Sequence, residues 1–133
     1  QAALLSMRLA RLDKVNARRR HNASLYHELL DPLHVFMPPE RKIEHNTWHT
    51  FVIQIERREA LKAWLAEKGI ETAVHYPVPL HLQPAAIELG YREGDMPETE
   101  RQAARILTLP VNQFLKDEDI EFVANAVNRF FAA

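Results

Sequence analysis

The chain has 133 residues, a net charge of −1 and 47% apolar residues, the size and balance of one globular domain rather than of a disordered or fibrous chain. The near-zero charge argues against nonspecific nucleic-acid binding, no apolar run reaches the length of a membrane span, and the absence of cysteine excludes disulfides and thiolate metal sites. No secretory leader pattern opens the chain, so a cytoplasmic location is expected.

Residues 1–31 read as one long leading helix, with Leu5, Leu9, Leu12, Ala23, Tyr26 and Leu30 on one face, ended by Pro32. The opening Gln1-Ala2-Ala3-Leu4-Leu5 lies inside this helical pattern and carries no initiator methionine, as expected for a piece of a longer protein. The basic run Arg18-Arg19-Arg20 reads first as a solvated face. After a proline-containing loop over 32–47, Trp48 to Ile55 is rich in aromatic and β-branched residues and reads as a strand, with Phe51, Ile53 and Ile55 on one side. Residues 58–68 form an amphipathic helix with Leu61, Trp64 and Leu65 inward, and Gly69 stands where a left-handed cap belongs. Ile70 to His75 alternates as a second strand.

Pro77 and Pro79 then force a stiff segment that cannot join a central ladder. A short helix ends near Gly90, Pro97 opens another over 97–106, and Leu107-Thr108-Leu109 is a short strand stopped by Pro110. The last helix runs from Asp117 to Phe131, with three acids in its first turn suited to the positive helix end. The expected fold is α+β, a two-layer α/β sandwich: a small three-stranded, mostly antiparallel sheet packed against helices on one face, all within a single domain over 1–133.

For chemistry, His45 and His49 have the four-residue spacing of helical zinc sites. Yet they fall in a loop running into a strand, where such positions lie roughly 13 Å apart, and no metal site is expected. Nucleophilic triads and phosphate-cradling glycine loops are not apparent, and no catalytic residue is assigned. The candidate is His75-Tyr76-Pro77-Val78-Pro79-Leu80-His81, where two prolines hold an extended segment that presents His75, Tyr76 and His81 at the sheet edge. These groups can hydrogen-bond a hydroxylated or phosphorylated ligand, or merely satisfy local backbone at a strand exit. The lysines, at 14, 42, 62, 68 and 116, fall on polar helix faces or in polar loops, without the desolvation an activated amine needs.

Taken end to end, the chain resembles the C-terminal part of the DegT/StrS family of fold-type-I aminotransferases. Gln1-Ala2-Ala3 with Leu9, Leu12 and Asp13 resembles the helix joining that family's two domains, and Asn16, Arg19, Ala23 and Tyr26 continue the pattern. Trp48 to Ile53 resembles the first small-domain strand. Gly69-Ile70-Glu71-Thr72 leading to His75-Tyr76-Pro77 and Pro79-Leu80-His81 is the most specific stretch. Gly90-Tyr91, Gly94-Asp95, Pro97, Glu100 and Leu107-Thr108-Leu109-Pro110 follow in order.

The resemblance implies amino transfer from glutamate to a keto-sugar on a nucleoside diphosphate, with pyridoxal 5′-phosphate held by a lysine of the large domain. It implies that His75, Tyr76 and His81 lie near the sugar nucleotide in binding roles, that no cofactor-binding residue falls in this chain, and that the domain works in a homodimer beside a large cofactor-binding domain. Alone, the chain is expected to be inactive. A stand-alone sugar-nucleotide-binding or dimerisation module derived from such an enzyme is the alternative. No nucleic-acid or membrane partner is expected.

Overall fold

The computed structural model of the chain describes residues 1–132. A two-stranded antiparallel ribbon, β1 (Phe51–Gln54) and β2 (Ile106–Leu109), stands among the helices α1 (Ala2–Leu9), α2 (Leu12–Leu29), α3 (Arg58–Ala66), α4 (Pro97–Arg105) and α5 (Asp117–Ala132). The register pairs Phe51 with Leu109, Val52 with Thr108, Ile53 with Leu107 and Gln54 with Ile106. Because side chains alternate along a strand, this register sorts the residues into two faces.

Phe51, Ile53, Leu107 and Leu109 form the inner face and are buried. Against them pack Tyr26 and Leu30 of α2, Leu61 and Leu65 of α3, and Ile120, Val123 and Val127 of α5. Each such side chain contributes about 1.5–3 kcal/mol by leaving water. The Tyr26 ring also packs at a tilt on Phe51, centroids 4.7 Å apart, and its buried hydroxyl, whose pKa is raised by desolvation, donates to the Pro110 carbonyl at 2.7 Å. Asn128 of α5 clasps the end of α2, donating to Leu29 O at 2.8 Å and accepting from Asp31 N at 3.1 Å.

The sequence pattern of α3 explains its ends. Leu61 and Leu65, four apart, enter the core, and the Trp64 indole donates to Ala126 O at 2.9 Å. Gly69, at φ 74°, closes the helix: its amide reaches Ala66 O and that of Ile70 reaches Leu65 O, both at 3.0 Å. This is the paired closure of a Schellman cap, with Leu65 and Ile70 as its apolar contact. At the other end of the chain, Asp119 accepts from Lys116 N at 2.8 Å and so caps the first turn of α5.

Several expectations need correction. The sheet has two strands, not three. Residues 70–75 form no strand: only Ala73 bridges Thr108, and Phe36 bridges Gln54 on the opposite edge. The partner strand has four residues, and Pro77 and Pro79 supply no amide to lengthen the pairing. Strand β1 begins at Phe51 rather than Trp48. Trp48 lies in the left-handed region at φ 49°, and Arg19 draws off the Trp48 and His49 carbonyls at 3.1 and 2.9 Å. Residues 1–31 form two helices instead of one, parted at Ala10–Arg11 by a tightened turn in which Arg11 N reaches Arg8 O at 3.0 Å.

The basic run is not a solvated face. Arg18 donates to Leu115 O and Asp117, Arg19 to Trp48 O, His49 O and Gln113, and Arg20 to Asn46 O and Glu40. With Asn22 on Asn112 O and Tyr26 on Pro110 O, α2 satisfies carbonyls of two irregular segments, 46–49 and 110–115, that lack a ladder of their own.

Candidate functional site

The outer face of the ribbon carries Val52 and Ile106, and over them lies an open depression of about 360 Å³. Helix α4 supplies one wall through Thr99 and Gln102, and the segment Tyr76–Gln83 supplies the other. Helices therefore lie on both sides of the ribbon, not on one face alone. Position follows from chain path: α4 runs into β2 without a loop, so its residues stand directly beside the ribbon's end.

His75 and Tyr76 both line this depression. The His75 ring is held through Nδ1, which lies 3.0 Å from Thr108 Oγ1, and Nε2 stays available to a ligand. Thr108 is on the outer face of β2, opposite Val52, which is why it meets His75 rather than the core. Tyr76 is 71% exposed, its ring edge-on to His75 at 5.7 Å, and its hydroxyl has no partner among the described residues. An imidazole nitrogen and a phenol beside an apolar floor can orient a polar ligand by hydrogen bonds without proton transfer.

His81 lies elsewhere. Leu80–Leu82 is a 3₁₀ turn, not the extended continuation expected from the prolines, and the turn drives the imidazole inward. Its side chain is 3% exposed, and Nε2 lies 2.9 Å from Glu100 Oε1. Glu100 also accepts from Gly94 N at 2.9 and 3.0 Å and from Met96 N at 3.3 Å. These bonds, His81 foremost, hold its carboxyl below the usual range and therefore ionised. A carboxylate only accepts, so His81 Nε2 carries the shared proton; Nδ1 is buried without a partner.

The sequence pattern includes Thr108 and Glu100 without giving them a site role, and it leaves out Thr99 and Gln102. Thr108 was legible in principle, because a hydroxyl between Leu107 and Leu109 must face away from the core. Glu100 is nineteen residues from its histidine partner and gives no local pattern. His45 and His49 are both exposed, ahead of β1.

None of the lysines lines the depression, and none is buried. Lys68 Nζ sits 3.1 Å above the Trp64 ring centroid, and the others are exposed. No lysine here has the desolvated setting that amine chemistry on pyridoxal phosphate requires, so these residues do not fit as its holders. Among the described residues, no helix is long and apolar enough to cross a membrane.

Residues 1–128 match the DegT/DnrJ/EryC1/StrS aminotransferase family. The chain is 39% identical to a "pleiotropic regulatory protein" of Geobacillus stearothermophilus, over 98% of this chain and 36% of that protein. It is 36% identical to the dTDP-3-amino-3,6-dideoxy-alpha-D-galactopyranose transaminase of Aneurinibacillus thermoaerophilus, over 98% and 35%. The solved structure of S. venezuelae DesV in complex with a ketimine intermediate superposes with a TM-score of 0.93 at 37% identity, covering 98% of this chain and 35% of that one. The chain thus spans about a third of the length of these relatives. With nearly its whole length matched, the chain belongs to the DegT/DnrJ/EryC1/StrS aminotransferase family.

Proposed function

We propose that this chain serves as the C-terminal small domain of a pyridoxal-phosphate-dependent aminotransferase acting on nucleotide-linked sugars. The observation that carries the reading is the family match over residues 1–128, together with relatives named as transaminases of dTDP-linked amino sugars. The cofactor, when bound, supplies the carbon–nitrogen chemistry, and a large domain holds it. The enzyme works as a cytoplasmic homodimer with glutamate as amino donor.

In this reading the present chain binds and orients. His75, fixed through Thr108, offers Nε2 to a sugar hydroxyl or diphosphate oxygen, and Tyr76 adds its hydroxyl. Val52 and Ile106 give an apolar floor that excludes water from one side of the ligand. His81 braces the wall instead of touching substrate.

The test uses the full polypeptide that contains this chain, loaded with pyridoxal phosphate and offered a dTDP-linked 3-amino sugar with 2-oxoglutarate. Formation of glutamate is expected. In Tyr76→Phe, loss of one hydrogen bond to a charged ligand raises KM about tenfold. Absence of glutamate with either dTDP- or UDP-linked amino sugars would sink the reading. A second reading, an interaction module, draws on the exposed leucines of α1.

A further inference from the structure

We infer that Glu100 is a positioning residue for the depression beside His75 and Tyr76, acting through His81 and the Gly94 amide. The inference rests on the reading of that depression as the nucleotide-sugar site. Among the described residues, every hydrogen bond that leaves residues 76–95 for the rest of the chain ends on the Glu100 carboxylate: from His81 Nε2 at 2.9 Å and from Gly94 N at 2.9 and 3.0 Å. The segment's other hydrogen bonds are local, such as Leu82 N to Pro79 O and Gly90 N to Ile87 O, both within one turn.

This matters because the two walls have different origins. Pro79 and Leu80 belong to the segment, whereas Thr99 and Gln102 belong to α4, and Glu100 sits between those two α4 positions. Thr99 and Gln102 face the opening, while Glu100 turns to the buried imidazole behind it. One carboxylate therefore fixes the spacing of the walls.

Hydrophobic burial cannot replace that anchor. Leu80 is 79% exposed, Ile87 71% and Leu89 70%, Leu82 is half-buried, and only Ala86 and His81 are buried, so apolar packing holds the segment down at few points. Met96 N also bonds Glu100, as helix-start amides commonly do, but that contact is local to α4. The bonds to His81 and Gly94 are the ones that cross between elements.

The experiment compares wild type, Glu100→Ala, Glu100→Gln and Glu121→Gln in the full polypeptide. Glu121 serves as control because it is an exposed carboxylate on α5 that lines no part of the depression. Two quantities are read: amide hydrogen exchange, and KM and kcat with a dTDP-linked amino sugar. In Glu100→Ala, exchange of the Leu82, Ala86, Gly90 and Gly94 amides rises about tenfold while β1 and β2 amides hold, and KM rises about tenfold with kcat nearly unchanged. Glu100→Gln, which keeps one acceptor, recovers part of both, and Glu121→Gln changes neither. Unchanged exchange over 80–94, a rise spread equally through β1 and β2, or a fall in kcat with KM unchanged each overturns the positioning role. A wild-type enzyme that turns over no nucleotide sugar overturns the functional reading instead. Glu100's place in that site then falls with it, and the exchange comparison still decides whether the segment hangs on this carboxylate.

Discussion

His27 sits between Trp48 and Phe51, with ring centroids at 5.6 and 5.4 Å, and its Nε2 is buried without a hydrogen-bond partner. Desolvation lowers its pKa from the usual value near 6.5, and the charge of Glu40 opposes the shift only in part. The sign follows: the unfolded chain takes up a proton first as pH falls, so the folded state loses stability below about pH 6.5 until His27 itself protonates. His27→Gln should flatten that limb, which urea midpoints at pH 7.5 and pH 5 would show; an unchanged slope would move the effect elsewhere. Asp117 gives a second limb further into acid. Hydrogen bonds from His21, then Arg18, hold its carboxyl low, so its contribution is present above about pH 4 and lost as pH falls through its lowered value. Asp117→Asn removes only this lower limb. At this scale the sequence was partly legible. His75 and Tyr76 line one depression, as their place after a strand-like run suggested, but His81 does not, because a 3₁₀ turn reverses the direction that two prolines seemed to set. Dipeptide stiffness constrains φ at the prolines and leaves the leucine and histidine after them free to turn.

Elements were legible where one periodicity decided them. The cores of α3, α5 and β1 follow from i, i+4 and alternating patterns, and Gly69 marks its cap. The alternation of Ile70, Thr72 and Val74 also reported something real, a segment with one side toward the core. Strand status, however, needs a partner of adequate length, and alternation within one segment says nothing about that. The arginine run failed for a related reason: its acceptors lie 20 to 99 residues away, in carbonyls and carboxylates no local pattern exposes. Arg19 is the sharpest case, because one guanidinium spans Trp48 O, His49 O and Gln113 Oε1. A lysine cannot reproduce that fork. Arg19→Lys should therefore lower stability by about 1–2 kcal/mol and raise amide exchange in residues 46–50, with α5 unaffected. Equal loss throughout the domain would mean that Arg19 supports the core in general rather than this loop.

For the molecule as a whole, the unbalanced feature is α1. Leu4, Leu5, Met7 and Leu9 are each more than 60% exposed, and α1 has no buried residue, whereas α2, continuing just past the break, buries Asn22, Ala23 and Tyr26. A lone exposed leucine is ordinary, but four large apolar side chains on one short helix form a surface that gains by being covered. A helix of 8 residues is also too short to hold its shape in water unaided. Covering by a large domain and covering by a second copy make different predictions for the 133-residue chain made by itself. If the face is self-complementary, sedimentation shows a dimer whose dissociation follows mass action, and Leu5→Glu with Leu9→Glu returns it to monomer. If the face belongs to a different domain, the isolated chain associates without a fixed stoichiometry, or α1 frays and its amides exchange at free-peptide rates, and the same double variant abolishes association without lowering the thermal midpoint of the core. The second pattern is expected here. Covering α1 with a second copy would still leave the separate apolar run of Leu80, Ile87 and Leu89 open to water, whereas a large domain closing over the His75–Tyr76 side could meet both.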